Sequence, residues 1–174
     1  MEFSYLMIIG AIVFCAVLYY LFRRKKPPVK KISHEYFSRV WLWPPDSHTR
    51  WEAELDVSKR GVNEQVGFHS ETTHAEVALE EPTEKEVAFC KSRMANLDEL
   101  FELTRPAVEE AWEEWVGKKI PRDWRNVLSL DGLSVPKDGD ITKPWSVTYF
   151  CEPAGHFFCI DIRGGKATLS SVGG

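Results

Sequence analysis

The chain has 174 residues, 44% hydrophobic and 28% charged, with 22 Lys and Arg against 26 Asp and Glu. That length holds one ordinary core and excludes a multi-domain enzyme of usual size. The net charge of −4 is a cancellation: residues 1–31 hold six of the basic residues and one of the acidic ones, leaving 16 against 25, or −9, in the remainder. So acidic a remainder excludes a basic nucleic-acid-binding domain.

In chain order, Tyr5 to Phe22 comes first, 18 residues without a formal charge. As a helix it would span roughly 27 Å, close to the ~30 Å of a hydrocarbon core. Aromatic residues Phe3, Tyr5, Tyr19 and Tyr20 flank it, where amphipathic rings favour a membrane interface. A cleaved signal peptide would begin with basic residues and end at a small-residue cleavage site, whereas this chain begins with Glu2 and continues into Arg23-Arg-Lys-Lys. Residues 1–22 are therefore expected to be a single transmembrane anchor. The collar of Arg23, Arg24, Lys25, Lys26, Lys30 and Lys31 is expected to stay on the cytoplasmic side of a bacterial inner membrane, with the N-terminus outside. Residues 23–34, with Pro27-Pro28, read as a basic linker, and residues 35–174 as an acidic cytosolic domain. Cys15, Cys90, Cys151 and Cys159 show no metal-ligand spacing, and cytosolic thiols stay reduced.

Within the domain, Arg50 to Val57 alternates strictly. Trp51, Ala53, Leu55 and Val57 fall on one strand face and Glu52, Glu54 and Asp56 on the other. Tyr36 to Trp43, Gln65 to Ser70 and Ala75 to Leu79 are further strand candidates. Thr83-Glu-Lys-Glu86 has the spacing of a capping box, in which hydroxyl and carboxylate each satisfy a free backbone amide. Val87, Cys90, Met94, Leu97 and Phe101 then recur at helical spacing. Thr104-Arg-Pro106 predicts a break, after which an amphipathic helix resumes and closes at Gly117. Asp131-Gly132, inside Val127 to Pro136, fits either a hairpin turn or a helix end. Trp145 to Cys151, His156 to Arg163 and Lys166 to Val172 predict three hairpin-connected strands. The expected fold class is α+β: one transmembrane helix, then a largely antiparallel sheet packed on a central helical pair.

Three groups could carry chemistry. His69, Glu71 and His74 sit close in sequence and are the candidate metal ligands, although the Cys partners of a zinc deaminase are missing. Cys151 and His156 share a turn, as a thiol–imidazole pair would, but Cys151 also continues the apolar face of Trp145, Val147 and Tyr149. Glu109, Glu110, Glu113 and Glu114 form an acidic helix face suited to a basic protein partner. Glu152 and His156, at a turn, and Trp43, beside Pro44-Pro45, are further partner-binding candidates. No catalytic motif is present and no cofactor is expected, so the balance leans away from an enzyme.

The stretch Pro144-Trp-Ser-Val-Thr-Tyr-Phe-Cys-Glu-Pro-Ala-Gly-His-Phe-Phe-Cys-Ile-Asp-Ile-Arg-Gly-Gly-Lys166 resembles the ending of bacterial domains. Some of these look like immunity proteins from polymorphic-toxin loci. The resemblance rests on a tryptophan-led strand, a Gly-His turn, a second strand and a glycine turn. It implies a protein-binding role, with a toxin as partner, and supplies no catalytic residue. A membrane-tethered enzyme using His69, Glu71 and His74, or Cys151 and His156, is the alternative.

Overall fold

The computed structural model describes residues 30–44, 49–70 and 79–174. Eight strands form one sheet in chain order: β1 (Lys30–Ile32), β2 (Arg39–Leu42), β3 (Trp51–Asp56), β4 (Val62–Ser70), β5 (Leu128–Val135), β6 (Trp145–Cys151), β7 (His156–Arg163) and β8 (Lys166–Gly173). All neighbours are antiparallel except β4 and β5, which are parallel. That exception follows from the connection. A parallel pair needs the chain to return along the sheet, and here it does so through two helices, α1 (Glu84–Ala95) and α2 (Leu97–Val116).

Alternation decides which face of each strand is buried. Trp51 and Ala53 point into the core while Glu52 and Glu54 point away, and Trp145, Val147, Tyr149 and Cys151 do the same on β6. Against this face pack Val87, Phe89, Cys90 and Met94 of α1, and Leu97, Leu100, Phe101, Val108, Ala111 and Trp112 of α2. Phe101 stacks on Trp124 at 4.5 Å, and both meet the edge of Tyr149. Each such fully buried large side chain contributes roughly 1.5–3 kcal/mol relative to exposure. The Tyr149 hydroxyl lies 3.0 Å from Thr104 Oγ1, so the one polar atom of that ring is partnered within the core.

The helices begin and end for identifiable reasons. Thr83 and Glu86 form the expected capping box at the start of α1. The break falls at Asn96 rather than at Thr104–Pro106. Asn96 closes α1 through its backbone N–H, on Ser92 and Arg93, and its side-chain amide, on Ser92. Its carbonyl then accepts from Leu100 in the first turn of α2. Helix α2 runs unbroken through Pro106, which stands on its exposed side, so the carbonyl deprived of a proline N–H can turn to water. Gly117, at φ 71°, ends α2 in the left-handed conformation that favours glycine. Leu128–Val135 is neither a hairpin nor a helix end. It is a single strand in which Asp131 sits at a register shift between Leu130 and Gly132.

The fold expected from sequence, a transmembrane helix ahead of a largely antiparallel sheet and a helical pair, needs correction. The described chain is dominated by one mixed eight-stranded sheet with two helices. Among the described residues, no helix is long and apolar enough to cross a membrane. Helix α2 has the length, at 20 residues, but carries carboxylates along one side and lies on the sheet by the other. An uncharged run reports an apolar composition and does not by itself specify its surroundings. The anchor expected at residues 1–22 lies outside the described residues, as do Arg23, Arg24, Lys25 and Lys26 of the collar. Lys30 and Lys31 belong to the edge strand β1, opposite Leu42 and Trp41. The strand candidate Ala75 to Leu79 lies almost wholly outside the described residues, and its last residue, Leu79, is not in a strand.

Candidate functional site

Helix α2 turns Glu109, Glu110, Glu113 and Glu114 outward while Val108, Ala111 and Trp112 are buried beneath them. The 3.6-residue repeat produces that separation. Glu109 pairs with Arg105 at 3.5 Å, and Arg105 also pairs with Glu102. Hydrogen bonding from Arg105 holds the Glu102 carboxyl below its ordinary value. At the end of this ridge Trp115 is 45% exposed, and its ring meets the His156 ring edge-on, with centroids 4.5 Å apart. His156 opens β7 just after the turn that carries exposed Glu152. Tertiary structure therefore joins two of the sequence-predicted groups, the acidic helix and the Glu152–His156 turn, around the exposed ring of Trp115. Trp43 is not part of this surface. It follows β2 at the opposite end of the strands, half-buried, with its backbone N–H on Arg50.

Cys151 and His156 face each other across the β6–β7 hairpin as register partners. Cys151 is fully buried, and burial pushes its thiol up, with the Glu152 charge adding to the effect and a backbone hydrogen bond from Ala154 opposing it. A nucleophilic cysteine needs the reverse: an accessible thiol stabilised as thiolate. His69 stands on β4 facing away from the helices, opposite Glu52. Glu71 and His74 lie outside the described residues. Among the described residues, no group of three His, Cys, Asp or Glu could hold a metal ion.

Two further features escaped sequence reading. One is an ionic cluster at the end of the sheet near Trp43. The Glu86 carboxylate, fully buried, accepts from the Arg50 guanidinium, from Trp51 Nε1 at 3.2 Å, from the Thr83 N–H at 3.0 Å and from the Asp138 N–H at 3.3 Å. Arg50 also binds Glu80. Burial pulls the Arg50 pKa down, but hydrogen bonds and charge from Glu80 and Glu86 outweigh it, so the guanidinium is held charged. Close approach is built in: a Cβ on Gly139, which has φ +66°, would lie 2.4 Å from the Lys85 carbonyl oxygen. With every oxygen of Glu86 engaged, this cluster joins β3, α1 and the Pro136–Asp140 segment and is structural.

The other feature is a groove of about 260 Å³ on the sheet face turned away from the helices. Its floor is the pair Gly67 and Gly132, directly opposite each other on β4 and β5. Glu54 and Thr148 flank that floor in the same cross-strand row, with Trp41 and Glu52 in the next row. The sequence signal was present in two glycines inside strand patterns, which mark places where side-chain volume is missing. Their juxtaposition required the parallel crossover. No family model, curated protein or solved structure matches this chain.

Proposed function

We propose that the domain works by binding another protein, one with a basic surface, through the C-terminal half of α2 and the adjoining Glu152–His156 turn. The observation that carries this reading is Trp115, a large ring 45% exposed, bordered in the same helix by four outward carboxylates. An aromatic anchor within a charged rim is the common composition of a protein-binding hot spot. The charge of −9 over residues 32–174 would accelerate encounter with a basic partner. The resemblance of residues 144–166 to bacterial domains, some of which look like immunity proteins, favours a toxin as that partner.

The test uses the intact chain as bait in its host, with a Trp115→Ala variant and a variant carrying Gln at positions 109, 110, 113 and 114. A protein retained by the native chain, released by about 0.5 M salt, where the screening length falls to a few ångströms, and lost with both variants is the expected result. Retention by both variants would refute the assignment to this surface.

A further inference from the structure

We propose that the groove over Gly67 and Gly132 receives an arginine side chain presented by a partner protein. The site is distinct from the α2 surface, since Glu52 and Glu54 point away from the face that α1 and α2 cover. Its volume of about 260 Å³ is roughly that of nine waters, enough for one long side chain.

Charge selects a cation. Glu52, Glu54 and Asp131 line the groove together with the imidazole of His69, which stands opposite Glu52, and among the described residues its one neighbouring guanidinium is Arg39, at the rim beside Glu54. Oε2 of Glu54 is buried and accepts no hydrogen bond, although Arg39 Nη1 is 3.3 Å away. Arg39 is itself 56% exposed on its side chain, so this contact can give way to a better-aligned donor. Asp131 is held in place by the Asn63 amide at 2.5 Å, and Asn63 in turn accepts from Ser129 at 2.6 Å.

Shape selects a guanidinium over an ammonium. The floor is bare backbone, and Trp41, half-buried opposite Glu52, lines the groove with an indole on which a planar group can stack. A planar fork can stack on an indole and donate two parallel hydrogen bonds to a carboxylate, which a point-charged ammonium cannot do. The two glycines supply the missing volume. A Cβ on Gly132 would crowd the Gly67 carbonyl at 3.3 Å, whereas one on Gly67 would meet only the Asp131 carbonyl, at an ordinary 3.9 Å. Gly67 is therefore the position at which the groove can be filled without disturbing the sheet.

The experiment is a titration of the isotopically labelled full-length chain with acetyl-Gly-Arg-Gly-amide, followed by amide and indole NMR shifts. Parallel titrations use the lysine and citrulline versions of the peptide. Saturable shifts are expected at the Gly67 and Gly132 amides and the Trp41 indole, with affinity for the arginine peptide at least about tenfold above the others. Gly67→Val, which suits a strand, should abolish them, and Glu54→Gln should weaken them without filling the groove. An equal response to citrulline or lysine, persistence in G67V, or shifts confined to α2 would each overturn the proposal. The last outcome would leave the α2 reading standing.

Discussion

The carboxylate of Glu86 meets four donors: Arg50 just before β3, Trp51 at its start, Thr83 at the cap of α1 and Asp138 in the segment before β6. Its sequence signature is only the third position of a capping box, worth about 1 kcal/mol at a surface. Inside the fold it also neutralises Arg50, whose side chain is 10% exposed. Glu86→Ala should therefore cost about 3–5 kcal/mol, because it leaves a buried guanidinium short of its partner. Urea denaturation measures this. Trp115→Ala, at an exposed ring, should change stability far less in the same assay. Tyr149→Phe should cost about 1 kcal/mol, since Thr104 Oγ1 keeps its bonds to the Leu100 and Phe101 carbonyls when the phenol is removed. Asp98 carries a pH signature. The hydrogen bond from Arg125 at 2.6 Å, aided by the Trp124 indole, holds its carboxyl below the ordinary value. A carboxyl depressed in the folded state stabilises above its unfolded pKa of about 3.9, and loses that contribution as pH falls through the folded value. The urea midpoints of native protein and Asp98→Asn should therefore differ at neutral pH and converge as pH falls below the ordinary carboxylate range.

At the scale of elements, periodicity located strands and helices well where a run had one solvated side. Trp51–Asp56 and the three C-terminal strands lie where alternation places them, and the capping box starts α1. Pro106 was misleading, because a proline removes one hydrogen bond but does not decide whether packing on both sides of it sustains the helix. Phe101 and Thr104 before it, and Ala107, Val108 and Ala111 after it, are all buried against the sheet, and that shared face holds α2 together. Pro106→Ala should raise stability by about 1–3 kcal/mol, restoring one backbone bond without altering the buried face. Thermal unfolding would show an increase in Tm; a decrease would mean that the proline ring packs in a way its exposure does not suggest. Strand β5 was ambiguous for another reason. Asp131-Gly132 has turn-forming composition, and only its placement between β4 and β6 makes it a bulge within a strand.

At the scale of the molecule, one crossover sets the architecture. Because α1 and α2 lie between β4 and β5, their apolar faces cover one side of the sheet, and neither helix covers the other. A single continuous core extends from Phe37 to Ile162, with contacts from both helices. The described domain should therefore unfold in one transition, tryptophan fluorescence and far-ultraviolet circular dichroism coinciding in urea; separated midpoints would contradict a single core. Sequence alone determined the alternating strands, the capped start of α1, the acidic charge and the partition of α2 into apolar and carboxylate faces, because periodicity and composition are properties of neighbouring residues. Only the tertiary structure brought Trp115 onto His156, buried Cys151 away from reactive use, engaged Glu86 from all sides and set Gly67 against Gly132. Apart from the Thr83–Glu86 cap and the burial of Cys151, which alternation foreshadows, those relations join residues 35 to 65 positions apart and leave no periodic trace in the chain, because each depends on which elements become neighbours.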